Sequence, residues 1–218
     1  MQTSEVKINL LEGQFLFANL SIPDDSKGLV IFAHGSGSSR KSSRNRFVAG
    51  ILEDNGFATL LTDLLTPAED LLYKNRFNIA LLSRRLVRIT EWALQQIVLK
   101  ALPVGYFGAS TGAASALQAA TVLPESISAI VSRGGRPDMA RTLAGVKSPT
   151  LLIVGSLDMQ VLELNQNVFR HLTCDKKLEV IKGASHLFEE PGTLHQVAHL
   201  AVDWFKKYLV MKSHYSGI

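Results

Sequence analysis

The sequence predicts an α/β fold with a mostly parallel, doubly wound sheet that helices cover on both faces. Continuous apolar runs such as Leu29–Ala33 are typical of strands buried on both faces. Such runs alternate with segments of helical periodicity from Gly28 to about Leu209, the pattern of right-handed strand–helix–strand units. We therefore expect the ligand site beyond the carboxyl ends of the strands.

Each element follows from a local signal. Two apolar segments around Glu12-Gly13 predict an N-terminal antiparallel hairpin, and the parallel strands follow it. The predicted strands cover residues 5–11, 14–21, 29–33, 57–61, 102–107, 127–131, 150–154 and 178–181. Helices are predicted from Ser42 or Ser43 to Asn55, over 76–100, after residue 110, over 161–172, and from Pro191 onward. Residues 64–76 are expected to form a loop, and no large lid fits between the strands at 127–131 and 150–154.

Length and composition favour a single domain covering residues 1–218. Of the 218 residues, 46% are hydrophobic and 19% charged, which is ordinary for a globular protein. The net charge of +4 is too small to indicate a nucleic-acid partner. The N-terminus has no signal-peptide pattern and no apolar run reaches membrane-spanning length, so we expect a soluble cytoplasmic protein without a membrane partner. The single cysteine, Cys174, excludes an internal disulfide, and the oligomeric state stays open.

Residues 108–112 read Gly-Ala-Ser-Thr-Gly and match the nucleophile-elbow pattern Gly-x-Ser-x-Gly. A short apolar strand precedes the match, and a helix with small residues from Ala113 to Ala120 follows it. This strand–turn–helix context favours an elbow over an ordinary turn, because the pattern requires both neighbours. The sequence therefore predicts Ser110 as a nucleophile.

A serine hydroxyl needs a base within hydrogen-bonding reach and an acid to orient that base. His186 follows a predicted strand in a flexible Gly-Ala-Ser-His segment, and Asp158 follows the strand before it. The chain order Ser110, Asp158, His186 is the one that α/β-hydrolases use. Asp138 is an alternative acid, and Asp63 is a weaker one.

The loop from His34 to Arg40 follows the first parallel strand and contains Gly-Ser-Gly. Hydrolases place one oxyanion donor in this loop, so the amide of Ser36 is expected to act with that of Thr111. A phosphate-binding loop is the rival interpretation, but neither Gly-x-Gly-x-x-Gly nor a P-loop lysine is present. A plain flexible turn is the other alternative.

No metal or cofactor is expected. The group of His186, Glu189, Glu190 and His195 matches no standard ligand spacing. The basic cluster that includes Arg40 and Arg44 follows the Ser36 loop, so it has either a surface role or a minor role in attracting anionic substrates.

The four motifs at 34–37, 108–112, 155–158 and 183–186 resemble those of the α/β-hydrolase superfamily, and of its dienelactone hydrolase family in particular. The resemblance covers about residues 28–211 and implies the α/β-hydrolase fold. Characterised dienelactone hydrolases carry a cysteine where this chain has Ser110. The family binds substrate carboxylates through arginines, for which Arg133 and Arg136 are candidates at the same sheet edge, with surface arginines as the alternative.

The sequence thus predicts a serine hydrolase that cleaves a small ester, thioester or lactone through an acyl-enzyme. Its partner would be a small acyl substrate. A serine peptidase is an alternative with the same triad, and a hydrolase-fold binding protein is the alternative from another class. Labelling of Ser110 by a fluorophosphonate discriminates the binding protein from the enzymes.

Overall fold

A computed structural model describes residues 1–10, 13–141 and 143–210. Eight strands form one sheet in the order β1-β2-β4-β3-β5-β6-β7-β8. They are β1 (Gln2–Asn9), β2 (Phe15–Ile22), β3 (Leu29–Ala33), β4 (Ala58–Thr62), β5 (Val104–Ala109), β6 (Ile127–Arg133), β7 (Thr150–Gly155) and β8 (Lys176–Ile181). The α-helices are α1 (Ser43–Asp54), α2 (Pro67–Asp70), α3 (Ile79–Gln95), α4 (Thr111–Val122), α5 (Met159–His171) and α6 (Thr193–Tyr208).

The topology confirms the predicted fold class. β1 and β2 form the antiparallel hairpin, with Gln2 opposite Ile22 and Asn9 opposite Phe15. β2 pairs antiparallel with β4, whereas the strands from β3 to β8 pair parallel with their neighbours. The predicted turn residue Glu12 lies outside the described residues.

Hydrophobic residues fill both sides of the sheet. Along β3, Leu29 and Ile31 join the core on the side of α3 and α4, while Val30 and Phe32 join the core on the side of α1 and α6. Successive side chains of a strand point to opposite faces, so a strand covered on both faces needs an unbroken apolar run. On the first side the buried hydroxyls of Thr90 and Tyr106 lie 2.6 Å apart and satisfy each other.

Several predicted boundaries are wrong. The helix predicted over 76–100 is α3, which starts at Ile79. The side chain of Asn78 accepts a hydrogen bond from the amide of Leu81 at 3.1 Å and caps the helix there, and the apolar periodicity alone does not reveal this cap. The helix ends at Gln95 rather than at residue 100, and Ile97, which lies within the predicted helix, is 83% exposed. The last helix begins at Thr193 rather than at Pro191.

The segment predicted as a loop over 64–76 contains the short helix α2 and a 3-10 turn at Tyr73–Phe77. The side chain of Thr66 accepts from the amide of Glu69 at 3.3 Å, and the carboxylate of Glu69 accepts from the amide of Thr66 at 2.9 Å. This capping box is readable from Thr66-Pro67-x-Glu69, so the signal for a helix start was present in the sequence. No helix in the described ranges is long and apolar enough to cross a membrane.

Candidate active site

Ser110 lies at the turn between β5 and α4, with φ 52° and ψ −122°. A non-glycine residue rarely adopts this backbone conformation, which is typical of a nucleophile elbow. The glycine at 112 is required because a Cβ there would stand 2.1 Å from the carbonyl oxygen of Ala33. The close approach of α4 to β3 therefore fixes the turn that presents Ser110.

The chain after β6 holds the elbow in place. The amide of Ser110 donates to the carbonyl oxygen of Arg133 at 3.2 Å, and the amide of Arg136 donates to the carbonyl oxygen of Ser110 at 3.0 Å. The fully buried side chain of Asn165 in turn donates to the carbonyl oxygen of Gly135 at 2.9 Å. Sequence reasoning missed this support, although the Gly134-Gly135 pair is a signal of close backbone approach.

His186 and Asp158 are in direct contact. The Nδ1 atom of His186 lies 2.6 Å from Oδ2 of Asp158, and the Asp158 side chain is only 15% exposed. Their loops are joined through the backbone, because the amide of Leu157 donates to the carbonyl oxygen of Ala184 at 3.0 Å. The ends of β7 and β8 thus bring the imidazole and the carboxylate together.

The alternative acids are engaged elsewhere. Both carboxylate oxygens of Asp138 accept hydrogen bonds from Arg136 at 2.9 Å. Asp63 accepts from the guanidinium of Arg40 and from its backbone amide, each at 2.9 Å. Of the three aspartates considered from the sequence, Asp158 is the one bonded to His186.

Ser110 and His186 line the same cavity, which has a volume of about 240 Å³. Ser36, Arg133 and Leu187 also line it. In the described part of the chain no hydrogen bond joins the hydroxyl of Ser110 to His186, and bonds of this kind often tighten only when substrate is bound. Within the same ranges, the backbone amides of Ser36 and Thr111 donate no hydrogen bond, and Thr111 is the first residue of α4.

Arg133 is a buried cation in this cavity. The residue is 7% exposed, and its Nε atom has no hydrogen-bond partner. Its guanidinium lies 5.9 Å from the ring centroid of Phe188, and no carboxylate in the described ranges forms an ion pair with it. Burial, and secondarily the charge of Arg44, lower the pKa of Arg133 to about 10. This residue is therefore not one of the surface arginines that the sequence left as the alternative.

His34 links two loops at the rim of the site. Its Nε2 atom accepts a hydrogen bond from the amide of Leu64 at 3.1 Å, and Nδ1 lies 2.9 Å from the carbonyl oxygen of Gly35. Nδ1 must then carry the proton, which makes His34 a neutral imidazole. Its burial lowers its pKa, in agreement with this assignment. His34 thus fixes the Ser36 loop to the chain that leaves β4.

Among the described residues, no group of three or more His, Cys, Asp and Glu side chains could hold a metal ion.

The chain is similar to proteins of known structure and to curated sequences. It is 51% identical to a dienelactone hydrolase from Anabaena variabilis, with a TM-score of 0.92 over 95% of this chain and 98% of that chain. Est1E from Butyrivibrio proteoclasticus superposes with a TM-score of 0.79 over 93% of this chain and 98% of that one. At 17% identity, Est1E shows the fold alone.

Two Mycobacterium tuberculosis proteins, from different strains, are each 55% identical to this chain over 192 residues. Both carry the name "Putative phosphoribosyl transferase". The match covers 88% of this chain but only 43% of those proteins. No protein-family model matches the sequence. The identity and near-complete overlap with the Anabaena protein show that the chain belongs to the dienelactone hydrolase family of the α/β-hydrolase superfamily.

Proposed function

We propose that the protein is a serine hydrolase that cleaves a small ester, thioester or lactone through an acyl-enzyme. In this proposal Ser110 attacks the carbonyl carbon, and His186 takes the hydroxyl proton and returns it to the leaving group. Asp158 orients the imidazole and stabilises its charged form. The amides of Ser36 and Thr111 bind the oxyanion of the tetrahedral intermediate.

The observation that carries the proposal is the 2.6 Å contact between His186 and Asp158 beside a cavity that Ser110 also lines. A strained serine, an imidazole bonded to a buried carboxylate, and two unengaged amides are the groups that nucleophilic catalysis uses, and they support the proposal. The similarity to a dienelactone hydrolase supports the same reaction class. Ser110 stands where the family carries a cysteine, so the attacking atom here would be a hydroxyl oxygen that loses its proton to His186, rather than the sulfur of a thiolate.

We further propose that the substrate carries an anionic group that binds Arg133. A buried guanidinium without a carboxylate partner is unfavourable, and an anion beside it supplies the missing charge. The second arginine suggested by the sequence, Arg136, already bonds Asp138 through two nitrogens. The anionic group is therefore assigned to Arg133.

Substitution of Ser110 tests the proposal. We expect Ser110→Ala to lower ester hydrolysis by about 10⁶-fold and to abolish fluorophosphonate labelling. Asp158→Asn should lower kcat by about 10⁴-fold, because the imidazole then adopts the wrong tautomer. Ser43→Ala, at an exposed position of α1, is the matched control and should leave both measurements unchanged. Full hydrolytic activity in folded Ser110→Ala would exclude the proposed nucleophile.

The name of the Mycobacterium tuberculosis relatives suggests phosphoribosyl transfer as a second candidate function. The chain spans less than half of those proteins, so their name describes a longer protein of which this chain matches one part. Incubation with phosphoribosyl pyrophosphate and acceptor bases discriminates the two functions. Release of pyrophosphate by this chain would favour the transferase, whereas hydrolysis of esters without such release favours the hydrolase.

A further inference from the structure

A second and larger cavity adjoins the one that contains Ser110. Its volume is about 540 Å³, and Ser38 lines both cavities. One wall comes from the start of β2, and the other comes from the chain between β4 and α2. The apolar residues of these walls are Phe15, Leu16, Phe17, Leu65, Pro67 and Ala68.

The charged side chains that line the larger cavity already have partners. The guanidinium of Arg40 bonds Asp63 at 2.9 Å and stands 5.2 Å from the ring centroid of Phe17. Asp70 receives two hydrogen bonds from Arg76, at 2.8 and 3.0 Å. With these charges neutralised, the surface left for a ligand is mainly apolar. A charged group would gain little there, in contrast to the cavity that contains Arg133.

The sizes of the two cavities also point to a shared ligand. Ligand pockets usually enclose roughly 300–1,000 Å³, and the Ser110 cavity, at about 240 Å³, is too small to hold more than the reacting group. The neighbouring cavity has a size within that range. The side chains of Leu71 and Leu72, which follow Asp70 in the chain, are exposed.

We propose that the cavity between β2 and α2 binds an apolar group of the substrate while the carbonyl lies beside Ser110. The substrate would thus be an ester or thioester with an alkyl or aryl portion of several carbons, on its acyl or its alcohol side. This inference rests on the hydrolase function proposed above. It adds a binding site and a substrate class to that function.

Two substrate series test the inference. In one, p-nitrophenyl esters carry acyl chains from two to ten carbons; in the other, acetates carry alcohols of increasing length. Burying one methylene is worth about 0.8 kcal/mol, so kcat/KM should rise about fourfold per carbon in at least one series. Ala68→Trp fills the cavity and should lower the ratio of long-chain to short-chain kcat/KM at least tenfold. Phe15→Ala removes an apolar wall and should lower the same ratio.

Ala101→Trp is the matched control, because Ala101 is exposed in the turn before β5, at the amino ends of the parallel strands. It should leave the ratio unchanged. If acetates are hydrolysed but neither series shows a length dependence, the inference is wrong while the hydrolase function stands. A wild-type ratio in both Ala68→Trp and Phe15→Ala overturns it as well. Absence of all ester hydrolysis and of Ser110 labelling overturns the hydrolase function, and this inference with it.

Discussion

Replacing Arg133 by methionine should stabilise the fold while impairing the hydrolysis of anionic esters. Burial and the charge of Arg44 lower the pKa of Arg133 to about 10. Each tenfold change in a protonation equilibrium corresponds to 1.36 kcal/mol, so keeping this guanidinium charged in the fold costs roughly 3 kcal/mol. Methionine at this position avoids that cost, but loss of the contact between the guanidinium and the ring of Phe188 offsets about 0.5–1 kcal/mol of the resulting stabilisation.

We therefore expect Arg133→Met to raise the free energy of unfolding by about 2 kcal/mol. For a chain of this size, that change corresponds to a rise in Tm of about 4–8 °C. Urea denaturation followed by circular dichroism measures the first quantity, and a thermal melt measures the second. Arg136→Met is the control, since it removes a guanidinium that is paired with Asp138 and should give no stabilisation.

The same variant should show a loss of function with one type of substrate. A charge-assisted hydrogen bond to a buried anion is worth about 1.5–3 kcal/mol, so the ratio of kcat/KM for a carboxylate-bearing ester to that for its neutral analogue should fall about 10- to 150-fold. A destabilised Arg133→Met protein would show that the guanidinium stabilises the fold, and an unchanged ratio would show that it does not bind the anionic group of the substrate.

Two further predictions concern residues around the elbow. Gly112→Ala should destabilise the protein by at least about 3 kcal/mol in urea denaturation, because the added carbon would meet the carbonyl of Ala33. Gly50→Ala is the control. It lies in α1 with open space around it and should stabilise the protein by about 0.5–1 kcal/mol. Equal effects of the two changes would contradict the packing described here. Burial lowers the pKa of His34, so the unfolded state binds a proton at this imidazole more readily than the folded state does. The stabilising contribution of neutral His34 is therefore fully present above pH 6.5 and declines as the pH falls below that value. His34→Gln should flatten this decline in denaturation curves recorded from pH 7 to 5; an unchanged slope would show that His34 is not its source.

The fold class could be predicted because its signals are local. The buried strand at Leu29–Ala33 and the strand–turn–helix around Ser110 each depend on residues adjacent in sequence, and the structure contains both at the predicted positions. Helix ends were harder to predict, because a single capping side chain such as that of Asn78 decides them.

The environment of the predicted arginines could not be read from the sequence. Arg133 and Arg136 are three residues apart in the chain, yet the first is buried beside Ser110 and the second bonds an aspartate two positions away. The difference arises because Arg133 is the last residue of β6, where its side chain is enclosed by neighbouring loops. Such enclosure depends on segments distant in sequence, including the one that carries Phe188.

The large cavity was missed for a similar reason. It forms where the hairpin strand β2 faces the segment after β4, and neither segment carries a recognisable motif for binding. The apolar residues at 15–17 read only as part of an edge strand. Their exposure to a cavity follows from the antiparallel pairing of β2 with β4, which brings the start of β2 to the carboxyl end of the parallel strands.

Because the hairpin lies at one edge of the sheet, the residues that line the larger cavity and the residues around Ser110 belong to different parts of the chain. Ser110, Asp158 and His186 are carried by the chain that follows β5, β7 and β8, whereas Phe15 and Phe17 belong to a strand pair at the far side of the sheet. Insertions or substitutions in that strand pair can reshape the cavity beside Ser110 without changing the parallel strands. Under the proposed function, relatives that share these three residues would differ in the molecules they accept when their first twenty-odd residues differ.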